Sequence, residues 1–155
     1  MYPLTHFLFP LVISLILVTN GFFNYYQAVL TALLGMMVDI DHYLHRVINY
    51  KDFNFRNCWN KAVTHKDKRE RTLIHHEKGF ILITIFILII LIFSSKLALI
   101  FAIAYYSHFL LDHIHIQAKR RFKFKEMGFK FNMPLYEIIL NLALVIIILA
   151  ITLNM

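Results

Sequence analysis

The stretch FILITIFILIILIFSSKLALIFAIAYYSHFLL, residues 80–111, decides the fold. Its two apolar runs, 80–93 and 97–111, are separated only by Ser94, Ser95 and Lys96, so they read as two helices joined by a tight turn. Runs with no continuous polar stripe suit lipid better than an aqueous core. Working outward, three further apolar segments appear at 7–19, 22–38 and 135–153. Only the last approaches the roughly 20 residues that comfortably cross hydrocarbon. The first two, joined by Asn20-Gly21, are short enough to form a helical hairpin dipping into the bilayer. The expectation is an all-α, polytopic membrane bundle of about five spans, forming one domain over residues 1–155.

Composition agrees. Of 155 residues, 59% are hydrophobic, 15% aromatic and 16% charged, against roughly 45–50% apolar and about 25% charged in soluble domains. A disordered or water-soluble chain is thereby disfavoured. The single Cys58 excludes an intrachain disulfide and has no partner at zinc-finger spacing. Residues 1–6 lack the positive region of a secretory signal, and no small-residue cleavage site follows the first apolar run, so that run is expected to be retained.

Charge placement then sets the topology. The connection 43–78 carries Arg46, Lys51, Arg56, Lys61, Lys66, Lys68, Arg69, Arg71 and Lys78, and the connection 113–133 carries Lys119, Arg120, Arg121, Lys123, Lys125 and Lys130. With five spans both connections lie on one side, leaving only Lys96 opposite. By the positive-inside rule that side is cytoplasmic, with the N-terminus inside and the C-terminus outside the cell membrane.

The remaining polar residues fall on the same rim. His6 begins span one, Asp39, Asp41 and His42 end span two, His75 and His76 begin span three, and His108 and Asp112 end span four. Ionisable residues at membrane depth are costly and mark function by default. Imidazole with carboxylate is the donor set of zinc and its first-row neighbours. His108 and Asp112 are four apart and share a helix face, as do Asp39 and His42 at three apart; Asp41 joins them only if the helix ends or unwinds there. His6 beside Thr5, taken alone, reads as an interfacial histidine before it reads as a ligand. Asp112 near a helix C-terminus opposes the macrodipole, which a bound cation would explain.

Three strings resemble the signatures of a known family: LLGMMVDIDH at 33–42, RTLIH at 71–75 and YYSHFLLD at 105–112, with Thr5-His6 near the start. They are similar to G-x-x-x-P-D-I-D-H, H-R-G/T-x-T-H and G-x-x-S-H-x-x-x-D of the YdjM-type membrane-bound metal-dependent hydrolases. Those proteins are related to zinc-dependent phospholipases C and nucleases. The resemblance implies His6, Asp39, Asp41, His75, His108 and Asp112 as ligands, with His42 a ligand or a supporting partner and His76 the alternative to His75. Val38, Ile74 and Glu70 depart from the family's proline, threonine and histidine. Nothing after Asp112 supplies a further His-x-x-x-Glu pair, so two divalent ions are expected rather than three, zinc first and manganese as the alternative. By the same resemblance the reaction is phosphoester hydrolysis, with Asp41 or Glu70 as general base and Arg71 either holding the phosphate or serving as an ordinary positive-inside residue.

The basic connections interleave aromatics with cations: Tyr50, Phe53, Phe55 and Trp59 in the first, and RFKFKEMGFKF over 121–131 in the second. That alternation predicts a short hairpin turning near Met127-Gly128, or an interfacial strand. Such composition can bind nucleic acid, but a membrane interface selects it more directly. A site at that depth meets lipid headgroups, so a phospholipid headgroup or lipid phosphate is the expected substrate. The competing reading is a non-enzymatic membrane protein that recruits a cytosolic partner through its basic loops. A metal transporter is disfavoured, because only Glu137 and Asn141 are polar inside a span.

Overall fold

The computed structural model describes residues 2–64, 76–116, 121–126 and 129–154. The chain runs α1 (Pro3–Thr19), α2 (Tyr25–Met37), α3 (Ile40–Tyr50), α4 (Phe55–Thr64), α5 (Glu77–Phe93), α6 (Ser95–Ile116), β1 (Arg121–Glu126), β2 (Phe129–Pro134) and α7 (Leu135–Leu153). The protein is therefore mainly helical, with one antiparallel ribbon among the described residues, in which Arg121 pairs with Pro134 and Glu126 with Phe129. The expected turn at Met127-Gly128 lies outside the described residues.

The five apolar runs become α1, α2, α5, α6 and α7. Helix α1 starts with proline at its first turn, where a missing N–H costs nothing. It stops at Gly21, whose φ of 71° permits the turn: Gly21 N–H donates to the Val18 carbonyl at 2.9 Å and Phe22 N–H to Leu17 at 2.9 Å. Asn24 and Gln27 then cap α2 reciprocally, each side chain accepting the other's backbone N–H at 2.9 Å. Between α5 and α6, Ser94 Oγ accepts the Leu97 N–H at 3.3 Å, so the turn is as tight as Ser94-Ser95-Lys96 implies.

Two expectations shift. Helix α6 spans 22 residues, longer than its apolar run, because its hydrogen-bond ladder continues through His108, Asp112 and His115. Two helices, α6 and α7, are accordingly long and apolar enough to cross a membrane. The first basic connection, 43–78, contains most of α3 and all of α4, helices that the charge pattern alone does not announce.

Helix α2 packs on α1 and α6, α1 on α7, and α6 on α5. Small residues permit the closest of these approaches: Ala28, Thr31, Ala32 and Gly35 form the buried face of α2. Apolar side chains instead cover the outside, among them Leu82, Ile85, Phe86, Ile89 and Phe93 of α5 and Ile139, Leu142, Ile146 and Leu149 of α7. His6, Thr5, Ser14, Thr31, His108 and Glu137 are fully buried.

Candidate metal centre

The site sits where the start of α1, the end of α2 and the end of α6 meet. Helix α2 stops at Met37 and α3 begins at Ile40, leaving Asp39 in the break as the residue before α3. That interruption turns Asp39 towards the two buried imidazoles. His6 Nε2 lies 3.2 Å from Asp112 Oδ1 and 3.8 Å from Asp39 Oδ2. His108 Nε2 lies 3.4 Å from Asp39 Oδ1 and 3.5 Å from Asp112 Oδ2. The two rings stack with centroids 3.8 Å apart.

These separations fit a shared cation. Donor atoms each 2.0–2.2 Å from one tetrahedral ion stand about 3.3–3.6 Å apart, and each imidazole lies near that span from one oxygen of each carboxylate, although the two imidazoles meet different oxygens of the same carboxylate. His6, His108 and Asp112 form a group that can hold a metal ion, their donor atoms lying within 4.8 Å of one another. Among the described residues neither nitrogen of the buried His6 ring has a well-aligned hydrogen-bond partner, although Nε2 stands 3.2 Å from Asp112 Oδ1. A fully buried imidazole without well-aligned partners is costly, and a bound cation would lower that cost at Nε2. The imidazoles are sealed while the Asp39 and Asp112 side chains retain 27% and 26% exposure, so the carboxylates form the mouth.

A backbone carbonyl orients the second imidazole. His108 Nδ1 lies 3.0 Å from the Gly35 carbonyl oxygen, which can only accept, so Nδ1 carries the proton and Nε2 of the neutral ring keeps its lone pair for the mouth. Without an ion, where His108 also carries a proton on Nε2, its hydrogen bond to Asp39 and the imidazole charges outweigh burial, which alone would raise the Asp39 carboxyl, and hold that group below its ordinary value; a bound ion would take that proton's place.

Gly35 also sets how closely the helices approach. A Cβ there would stand 2.9 Å from the His6 carbonyl oxygen and 2.9 Å from Pro10 Cγ. Proline at position 10 has no N–H for the carbonyl four residues earlier, so the His6 oxygen is released from the α1 ladder. It faces the side of Gly35 where a Cβ would stand.

A buried carboxylate braces α1 from the other side. Glu137 Oε1 accepts the Tyr2 N–H at 2.6 Å and the Thr5 hydroxyl at 2.7 Å, and Oε2 lies 3.3 Å from His115 Nδ1. Tyr2 provides no side-chain cap for α1, so α7 supplies one. Phe80 at the start of α5 packs on Tyr105, Tyr106 and Phe109 of α6. All five apolar helices thus bring one terminus to the same end of the bundle.

Of the residues singled out from the sequence, His6, Asp39, His108 and Asp112 are brought together. His42 Nε2 stands 3.9 Å from Asp39 Oδ1, at the rim. Asp41 is in the first turn of α3 with Oδ1 buried, but it is not part of the group around His6, His108 and Asp112. Glu70, Arg71 and His75 lie outside the described residues. His76 caps α5, its Nδ1 accepting the Lys78 N–H at 3.4 Å. Sequence reasoning missed the parts of Gly35, Pro10 and Glu137. The available signals were a proline four residues after His6 and a glycine four before Asp39.

Compared with protein-family models, curated proteins and solved structures, the chain matches none.

Proposed function

We propose that the protein is an integral membrane hydrolase of about five spans, α1, α2, α5, α6 and α7, that cleaves a phosphoester at a metal centre on the cytoplasmic rim. The convergence of two buried imidazoles and two half-open carboxylates from three separate segments carries this reading. The apolar exterior of α5 and α7 supports the spans. The resemblance to YdjM-type hydrolases supplies the reaction class.

When bound, a divalent ion supplies an activated water and polarises a phosphoryl oxygen. His6 and His108 would hold it through Nε2, and Asp39 and Asp112 would balance its charge at the mouth. Asp41 or Glu70 takes the proton from the attacking water, and Arg71 orients the phosphate. Zinc suits the donor set best, manganese is the alternative, and a second ion would draw on His42, Asp41 and His75. The substrate of this reading is a phospholipid headgroup or related lipid phosphate.

Detergent-purified protein with its metal content measured, tested on lipid and soluble phosphoesters, is expected to hydrolyse a lipid substrate. Activity should vanish with chelator and return with zinc or manganese. It should fall at least about 100-fold in Asp39→Ala, the upper end of what losing a metal-site partner costs. Retained hydrolysis in an Asp39→Ala, Asp41→Ala double variant would refute the mechanism. Full metal occupancy with no hydrolysis would favour partner recruitment through the basic connections.

The orientation has its own test. In intact cells, with Cys58→Ser as background, Lys96→Cys should react with an impermeant thiol reagent while Lys61→Cys and Lys123→Cys stay protected. Reaction at 61 and 123 from outside would invert the topology.

A further inference from the structure

Helix α3 begins beside the candidate metal centre, and its apolar face is turned outward. Ile40, Tyr43, Leu44, Val47 and Ile48 fall on one side of an ideal helix, and Asp41, His42, His45, Arg46 and Asn49 on the other. In a soluble protein the first set would be buried. Here Leu44 is 49% exposed and Ile48 73%, while Arg46, on the polar side, is 6% exposed. Arg46 lies 5.9 Å from the Tyr50 ring centroid, so its charge is held against the protein. Water would penalise the outward apolar face.

The outward stripe is not isolated. Exposed Leu33 and Met37 at the end of α2 lead into Ile40, Leu44 and Ile48, so the stripe continues the apolar exterior of a proposed span. Beyond it, exposed Tyr50, Phe53 and Phe55 alternate with Lys51 and Arg56. Lys51 ends the helix at φ 51°, which turns the chain into this aromatic and basic segment. Acyl chains suit the stripe, and anionic headgroups suit rings interleaved with cations.

Building on the hydrolase reading above, we infer that α3 lies in the plane of the membrane interface, with its Ile40–Leu44–Ile48 stripe among acyl chains of the leaflet that presents the substrate. The first residue of that helix follows Asp39 directly, so the depth of α3 fixes the depth of the carboxylate mouth. A bilayer-anchored phosphoester then reaches the mouth by lateral diffusion, without leaving the leaflet. The substrate class is a phosphoester carried on a lipid anchor.

The test uses the full chain, Cys58→Ser, reconstituted into phosphatidylcholine and phosphatidylglycerol vesicles, with a fluorophore on Ile48→Cys or Asn49→Cys. Brominated acyl chains should quench the label at 48 at least about twofold more than at 49, as an interfacial helix buried 5–10 Å requires. Equal quenching overturns the placement. A label at 48 that is shielded from aqueous quencher yet insensitive to bromine would also overturn it, by showing that protein covers the stripe. Leu44→Ser with Ile48→Ser should lower hydrolysis of a bilayer-embedded phosphoester about tenfold or more, the scale of losing apolar burial. A short-chain soluble phosphoester should be cleaved as before. Equal loss on both substrates overturns substrate delivery by α3. Failure of the wild type on either substrate would count against the hydrolase reading, and the quenching data would still decide where α3 lies.

Discussion

His108→Ala and Asp112→Ala are each expected to strip the bound ion from the purified protein while leaving it helical and inserted. Of the two buried imidazoles at the centre, His108 is the one whose tautomer is fixed, through the Gly35 carbonyl at 3.0 Å. Asp112 is within 3.2 Å of His6 and 3.5 Å of His108, so it touches both imidazoles. Removing a supporting partner of a metal ligand already costs about 10–100-fold in affinity, and removing a ligand should cost more. Fold should survive, because the apolar packing of α6 on α5 runs through Ala98, Phe101, Tyr105 and Phe109. His113→Ala is the control: it adjoins Asp112 but is exposed, about a right angle round the helix. Metal analysis beside circular dichroism reads both quantities. Equal metal in wild type, His108→Ala and Asp112→Ala would rule the centre out.

Gly35→Ala should be nearly as damaging to metal binding although residue 35 donates no side chain. Alanine favours a helix over glycine by about 1 kcal/mol, so propensity alone predicts a gain. Packing opposes it. The added methyl would meet the His6 carbonyl oxygen at 2.9 Å and Pro10 Cγ at 2.9 Å, with the Ala104 carbonyl oxygen at 3.5 Å. Backbone cannot swing aside like a side chain, so α1 must move, and overpacking of this kind costs about 1–3 kcal/mol. The net change in stability is therefore small, about 0–2 kcal/mol. The displaced atom, however, belongs to His6, and the residue that moves it carries the carbonyl that orients His108. Metal affinity should fall about 10–100-fold, whereas Leu33→Ala on the exposed side of α2 should leave it unchanged. Wild-type affinity in Gly35→Ala would show that the close approach does not position the ring.

The helices that hold the site were legible because hydropathy is a local signal. The runs at 80–93 and 97–111, the Asn20-Gly21 turn and the alternating 121–131 segment each appear as structure at or near the expected place. The i,i+4 pair His108 and Asp112 was legible for the same reason. Helices α3 and α4 were not read, because their charges resemble a linker and their apolar residues are too sparse to stand out as a run. The break at Asp39 was visible only as a condition, since no glycine or proline marks it. Long-range geometry was hidden: nothing near Glu137 in the chain says that it will cap a helix 132 residues away through Thr5.

The junction of His6, Gly35 and His108 also sets a timetable for biogenesis. A ribosome working at 5–20 residues per second releases residue 108 roughly 5–20 s after residue 6. During that interval α1 and α2 can pair as a hairpin, but the oxygen freed by Pro10 and the His6 ring wait beside an empty third wall. Residue 137, which ties down Tyr2 and Thr5, arrives later still. Helix α1, made before α6 and α7, is therefore locked only after both are out, and an ion present at 100 times its dissociation constant would then add about 2.7 kcal/mol to the folded chain alone. Nascent chains arrested before α6 would lack His108 and Asp112, so an ion bound at this group would mark chains that have completed α6.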